Sequence, residues 1–347
     1  MAYITFQPHD YFNTVLWSGN GSAGRDITGV GFQPDWVWVK NRSRSSNHTI
    51  VDVLRGSGSY PMSSTNNGVQ DTSDTNQVSA LISDGFTVGS STNTNASSEN
   101  LVGWSWRAGG SGSSNTDGSI NTTATSVNTT AGFSICKWTG TGANATIGHG
   151  LGAVPKMYIV KNVDTTNDWN VYHHNIGNTH RLFLNTTAAK EDNASAWNDT
   201  SPTSSVFSVG TNTNVNQNGD TMIAYVFAEK SGFSKFGKYV GNGNADGQFI
   251  YTGFKPAWLM LKQTGTQGWF LVDNKRANPF NPIDGSLHPN SNAAEDTSSD
   301  FFVDFLANGF KLRDSDAQLN GNNNDYIYAA FAAEPLVSSN NIPATAR

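Results

Sequence analysis

The chain has 347 residues, of which 36% are hydrophobic and 14% charged, and its net charge is −6. That length exceeds one ordinary sandwich and suits two or three domains; the low charge argues against intrinsic disorder, and ten Trp, ten Tyr and nineteen Phe can fill real cores. No dense Lys/Arg cluster offers nucleic acid a footprint, no apolar run is long enough to span a bilayer, and the single cysteine, Cys136, excludes an intrachain disulfide framework or a cysteine-built zinc site.

The chain opens on MAYITFQPHDYF, which lacks a basic stretch followed by an apolar one, so no secretory leader is expected. Next come Gly19, Gly21 and Gly24 at G-x-G-x-x-G spacing. A dinucleotide site needs a strand before these glycines and a helix after them. Here Gly29, Gly31 and Pro34 follow within ten residues, so no such helix can form. The strand DWVWVK then places Trp36 and Trp38 on one face and Val37 and Val39 on the other.

The block returns twice. Gly140-Thr-Gly142 precedes Pro155 and the strand ending at Lys161, while Gly241-Asn-Gly243 precedes Pro256 and the strand ending at Lys262. These repeat the spacing of Gly19, Pro34 and Lys40 without slippage, and only G-[NT]-G persists, a turn signature. Asp52, His173 and Asp273 fall at one equivalent position. WSWRA, YVFAE and AAFAAE close the three copies.

The expected fold is therefore all-β, with three tandem homologous β-sandwich or jelly-roll-like domains and little helix. The copies span 1–109, 132–230 and 231–335. Residues 110–131, rich in Gly, Ser, Thr and Asn, read as a flexible or extended linker, and 336–347 as a C-terminal arm. On this reading domain one sits on a tether, while the short Glu229–Gly232 junction holds domains two and three together. Asn76–Ser83 and Asp300–Gly309 are the best helical candidates, the latter through Phe301, Phe305 and Leu306.

Both faces of the central strand are apolar in every copy. A two-sheet sandwich covers one face, so the other must meet another repeat, a loop or another subunit, which leads us to expect a homo-oligomer, specifically a homotrimer.

Candidate sites are few. His173, His174 and His180 suggest a metal, but only copy two has them, and exposed histidines at a strand end explain them better. Asp314, Asp316 and Asn320–Asp325 offer hard oxygen ligands for calcium without EF-hand spacing, and Asn-Gly loops account for the segment. No nucleophile elbow or HExxH motif appears, so no enzyme, catalytic residue or cofactor is expected. Trp169 and Trp197 lie near loops and are candidates for stacking on sugars, against the simpler reading as core.

The phrases NTVLWSGNGS, ITGVGFQPDWVWVKNRS, TGTGANATIGHGLGAVPKMYIVK, FAEKSGFSKFGKYVGNG and FVDFLANGFKLRD, with the terminus NIPATAR, resemble an uncharacterised repeat family frequent in tailed phages of marine bacteria, including cyanophages. The resemblance implies a virion structural protein and brings no catalytic residues. It leads us to expect a component of the particle exterior, as capsid decoration or in a head or tail fibre. Such a protein is assembled in the host cytoplasm and contacts other virion proteins; the composition adds the expectation of no nucleic-acid partner and no membrane insertion. The alternative is a receptor-binding adhesin for host surface glycans.

Overall fold

The computed structural model describes residues 7–56, 76–276, 280–298 and 301–334, together with the strands Leu336–Val337 and Pro343–Ala344. The N-terminal MAYITF and most of the 336–347 arm lie outside the described residues.

The first unit contains β1 (Phe12–Ser18), β2 (Arg25–Thr28), β3 (Trp36–Asn41), β4 (Thr49–Asp52), β5 (Val78–Ile82), β6 (Gly85–Val88), the one-turn helix α1 (Thr92–Asn95) and β7 (Asn100–Trp106). Its main sheet runs β1-β7-β3-β4 and its small sheet β2-β6-β5, with antiparallel pairing throughout. After β8 (Ala124–Asn128), the second unit contains β9 (Phe133–Thr139), β10 (Ala145–Gly148), β11 (Met157–Asn162), β12 (Asn170–His173), β13 (His180–Phe183), β14 (Glu191–Asp192), α2 (Ala194–Trp197), β15 (Val206–Val209), α3 (Thr213–Asn216) and β16 (Thr221–Phe227). Its main sheet, β14-β13-β12-β11-β16-β9-β8, carries the first unit's order at its centre, and β10 pairs with β15. The third unit contains β17 (Ser234–Val240), β18 (Phe249–Tyr251), β19 (Pro256–Gln263), β20 (Trp269–Asp273), β21 (Val303–Leu306), β22 (Gly309–Leu312) and β23 (Asp325–Ala332). Its sheets are β17-β23-β19-β20 and β18-β22-β21. The final strands, β24 (Leu336–Val337) and β25 (Pro343–Ala344), pair with each other.

Alternation along β3, β11 and β19 explains the packing. Val37 and Val39 join a core enclosed by the first unit's two sheets, and Tyr158 with Val160 and Leu259 with Leu261 do the same in the other units. The opposite residues, Trp36 and Trp38, Met157 and Ile159, Trp258 and Met260, all belong to one shared cluster. Each main sheet is thus buried on both faces, by its own small sheet and by the other two units. The apolar face behind the homotrimer expectation is covered within a single chain. Each unit keeps a cluster of its own between its two sheets, and a fourth cluster is shared by all three units, unlike three beads on a string. At the meeting point Trp36 lies 4.4 Å from Trp106 and 4.6 Å from Tyr225, centroid to centroid, while Phe331 lies 5.7 Å from Trp106.

Residues 110–131 do not act as a loose tether. β8 pairs along β9, Ile120 pairs in parallel with Ile147, and the Ile120 N–H donates to the Thr146 carbonyl at 3.1 Å. Backbone pairing needs few apolar residues, so low complexity here does not mean looseness. The two helical candidates are strands β5 and β21. In β21, Val303 and Phe305 are buried and alternate with less buried Asp304 and Leu306, which is a period of two. No described helix is long and apolar enough to cross a membrane.

Candidate functional site

The polar groups with the most built geometry lie where the units meet. Strands β4, β12 and β20 end at Asp52, His173 and Asp273, and each end reaches the next unit in a ring. Asp52 accepts from the Tyr225 hydroxyl of the second unit at 2.8 Å. His173 Nε2 lies 3.2 Å from the Tyr328 carbonyl of the third, and Asp273 accepts from the Trp104 indole N–H of the first at 2.8 Å.

One substitution pattern follows from the register. Trp104, Tyr225 and Ala329 face Trp38, Ile159 and Met260, so they hold one equivalent position. Two of the three carry a donor, and each donor meets an aspartate. Ala329 has none, and the residue reaching that place is His173, beside a backbone carbonyl that needs a donor. The residue three further on changes in concert. Arg55 and Arg276 form buried ion pairs with Asp52 and Asp273, whereas Ile176 stands after His173. A buried charge needs full compensation, so the pair is ionic where the ring supplies a donor and neutral where it does not. Glu295 extends the junction by pairing with Arg276 and with Arg42 of the first unit, each at 2.7 Å.

Burial, with help from His174, pushes His173 down to about 3. The ring is therefore neutral at ordinary pH, with Nε2–H donating to Tyr328 and Nδ1 accepting from the Asn175 N–H at 3.3 Å. His48, which accepts from Trp38 Nε1 at Nδ1 and reaches the His288 carbonyl through Nε2, is held well below its ordinary value, first by burial and then by the Lys40 charge.

The repeat landmarks serve the turns. Pro34, Pro155 and Pro256 are buried at the strand entrances. Lys40, Lys161 and Lys262 are fully buried, and each Nζ donates to the carbonyl of the following residue, at 2.6, 2.5 and 2.6 Å. A second donation ties down the turn beyond, to Arg44, Thr165 and Gly265. Burial brings these lysines down to about 8, 8 and 7.

These shifts give a signed pH prediction. His173 charges in the unfolded chain near 6.5 but in the fold only near 3, so its contribution to stability is present above 6.5 and declines as pH falls through that interval. Lys262 has its folded value depressed from 10.5 to about 7, so stability rises as pH climbs through that window. Urea midpoints measured against pH should show both slopes. His173→Gln should make the acid slope shallower and Lys262→Met the alkaline one, with His48, Lys40 and Lys161 carrying what remains; unchanged slopes would contradict the assignments.

The G-[NT]-G turns are held by a group the sequence reading missed. Asn95, Asn216 and Asn320 are fully buried, and their side-chain amides donate to the loops that contain these turns. The backbone carbonyls of the same three residues accept from Gly21, Gly142 and Gly243 at 2.8, 2.7 and 2.7 Å. Gly21, Gly142 and Gly243 have φ of +70°, +69° and +64°. A Cβ on Gly19, Gly140 or Gly241 would collide with a backbone carbonyl. The recurring Asn at the end of TNTN and TNVN was the available signal.

Other candidates are placed differently from expectation. Trp169 and Trp197 have no exposed surface; Trp169 lies in the shared core, and Trp197 donates to the His180 carbonyl at 3.0 Å. Neither ring face is open to a sugar, which corrects that assignment. Asn320, drawn into the calcium reading, is a loop clamp. His174 bonds the Phe236 carbonyl and His180 bonds Thr179, and among the described residues no three His, Cys, Asp or Glu converge as a metal would require.

A family model described as a domain of unknown function (DUF7483) matches residues 7–335. No curated protein and no solved structure matches the chain.

Proposed function

The chain belongs to the DUF7483 family, and we propose that it is a structural protein of the exterior of a phage particle, serving as capsid decoration or as part of a head or tail fibre. The observation that carries this reading is the closed ring of three units, which the Tyr225–Asp52, His173–Tyr328 and Trp104–Asp273 hydrogen bonds and the Arg42–Glu295 ion pair join to one another. Such an arrangement gives a rigid body from one polypeptide, which suits a part that must persist outside a cell. The family resemblance in the sequence points the same way. The role proposed is architectural, with other virion proteins as partners and no catalytic step.

The alternative, an adhesin for host glycans, loses its two assigned residues to burial. Quantitative mass spectrometry of purified particles of the encoding phage tests the proposal. The chain should be present in fixed stoichiometry, many copies per particle for decoration and few for a fibre. Its absence from purified particles would overturn the reading.

A further inference from the structure

The three small sheets each end in an equivalent edge strand, β2, β10 and β18, and the three edges are treated differently. Position by position, Asp26, Thr146 and Phe249 correspond, as do Thr28, Gly148 and Tyr251, with Ile27, Ile147 and Ile250 turned inward between them. In the first unit the edge carries the exposed charge of Asp26, which discourages pairing. In the second unit the edge is covered. The Thr146 carbonyl accepts from Ile120, and its N–H donates to the Ser119 hydroxyl at 2.9 Å.

The third edge is neither charged nor covered. Leu312 donates to the Gln248 carbonyl and Thr252 to the Asn308 carbonyl. That register makes Gln248, Ile250 and Thr252 the residues bonded towards β22 and turns the backbone groups of Phe249 and Tyr251 outward. No described residue takes up those outward groups. Both side chains are exposed, 45% for Phe249 and 64% for Tyr251; a Cβ on Gly309 would strike the Ile250 carbonyl first and then the Phe249 ring, which therefore lies across the sheet over that glycine. The junction before the third unit cannot cover this edge as 118–120 covers β10, because it is only a few residues long and is tied down by Phe233 and Ser234 donating to the Lys230 carbonyl.

We propose that β18 is a self-association edge, through which two copies pair β18 to β18, antiparallel, about a two-fold axis at Ile250. The pairing is self-complementary. Phe249 faces Tyr251 of the second copy, their outward N–H and carbonyl groups bond reciprocally, and ring meets ring with no charge between them. The pairing is independent of the virion reading and uses a strand whose inward residue, Ile250, belongs to the third unit's own cluster.

Sedimentation velocity of the full chain, from about 1 to about 100 μM, tests it. The wild type should shift with concentration from one chain mass to twice that mass. Phe249→Asp with Tyr251→Thr, which copies the first unit's residues, should stay at one chain mass with an unchanged thermal midpoint. In the wild type, hydrogen exchange at Phe249 and Tyr251 should slow at high concentration, a readout that does not depend on the variant folding. A wild type that stays single throughout, or a folded variant that pairs as strongly, overturns the proposal. So does a single-chain wild type that binds a glycan array through Tyr251, which would assign the rings to sugar.

Discussion

Asp52→Ala is expected to destabilise the protein by about 3–5 kcal/mol, a large part of the roughly 5–15 kcal/mol that holds a domain folded. Both Asp52 oxygens are engaged. Oδ1 accepts from the Leu54 and Arg55 N–H groups, while Oδ2 accepts from Arg55 Nε and the Tyr225 hydroxyl. The Arg55 and Asp52 side chains are 1% and 0% exposed, so water cannot replace the lost carboxylate. The loss falls across a unit boundary, since Tyr225 belongs to the second unit. Removing both charges while keeping the Oδ1 acceptor should cost far less than removing the carboxylate alone. Asp52→Asn with Arg55→Met keeps an acceptor for the Leu54 and Arg55 N–H groups and a donor towards the Tyr225 hydroxyl, and should recover much of the stability. Urea titration of both variants measures the contrast, and a single variant within about 1 kcal/mol of wild type would contradict the role given to this pair.

Trp36→Ala should cost a similar amount, about 3–5 kcal/mol, through a cavity that no one unit can close. Trp36 is 2% exposed and packs against Trp106 of its own sheet and against Phe133, Tyr225 and Phe227 of the second unit. Because the cavity opens in the shared cluster, tryptophan fluorescence and far-ultraviolet circular dichroism should report the same lowered midpoint. A first unit that melts early while the remainder keeps its wild-type midpoint would show that the cluster does not couple the units.

Much of this was legible in the sequence, for identifiable reasons. The alternation Trp36, Val37, Trp38, Val39 names two faces, because successive side chains on a strand point oppositely. The recurrent Pro and Lys landmarks mark strand entrances and exits, and the copy-to-copy loss of the third glycine points away from a phosphate loop. What covers the second face was not legible. Apolar residues at Trp36, Met157 and Trp258 require a partner but do not say whether it lies in the same chain or in another. Phe301, Phe305 and Leu306 suggested a helical face, yet the inward residues are Val303 and Phe305; a short apolar run fits both periods. The strap at 118–120 pairs through backbone groups, which leave no mark in composition. The Asp52, His173 and Asp273 equivalence was visible, but its meaning depends on Ala329, which lies far along the chain and enters only through the register.

The central claim is that three sheet pairs form one cooperative body around a common core. Differential scanning calorimetry of the intact chain tests it most directly. A single transition should appear, with the calorimetric enthalpy matching the van't Hoff enthalpy. Separate peaks, or a van't Hoff enthalpy near about a third of the calorimetric one, would mean that the units unfold independently and would contradict the claim.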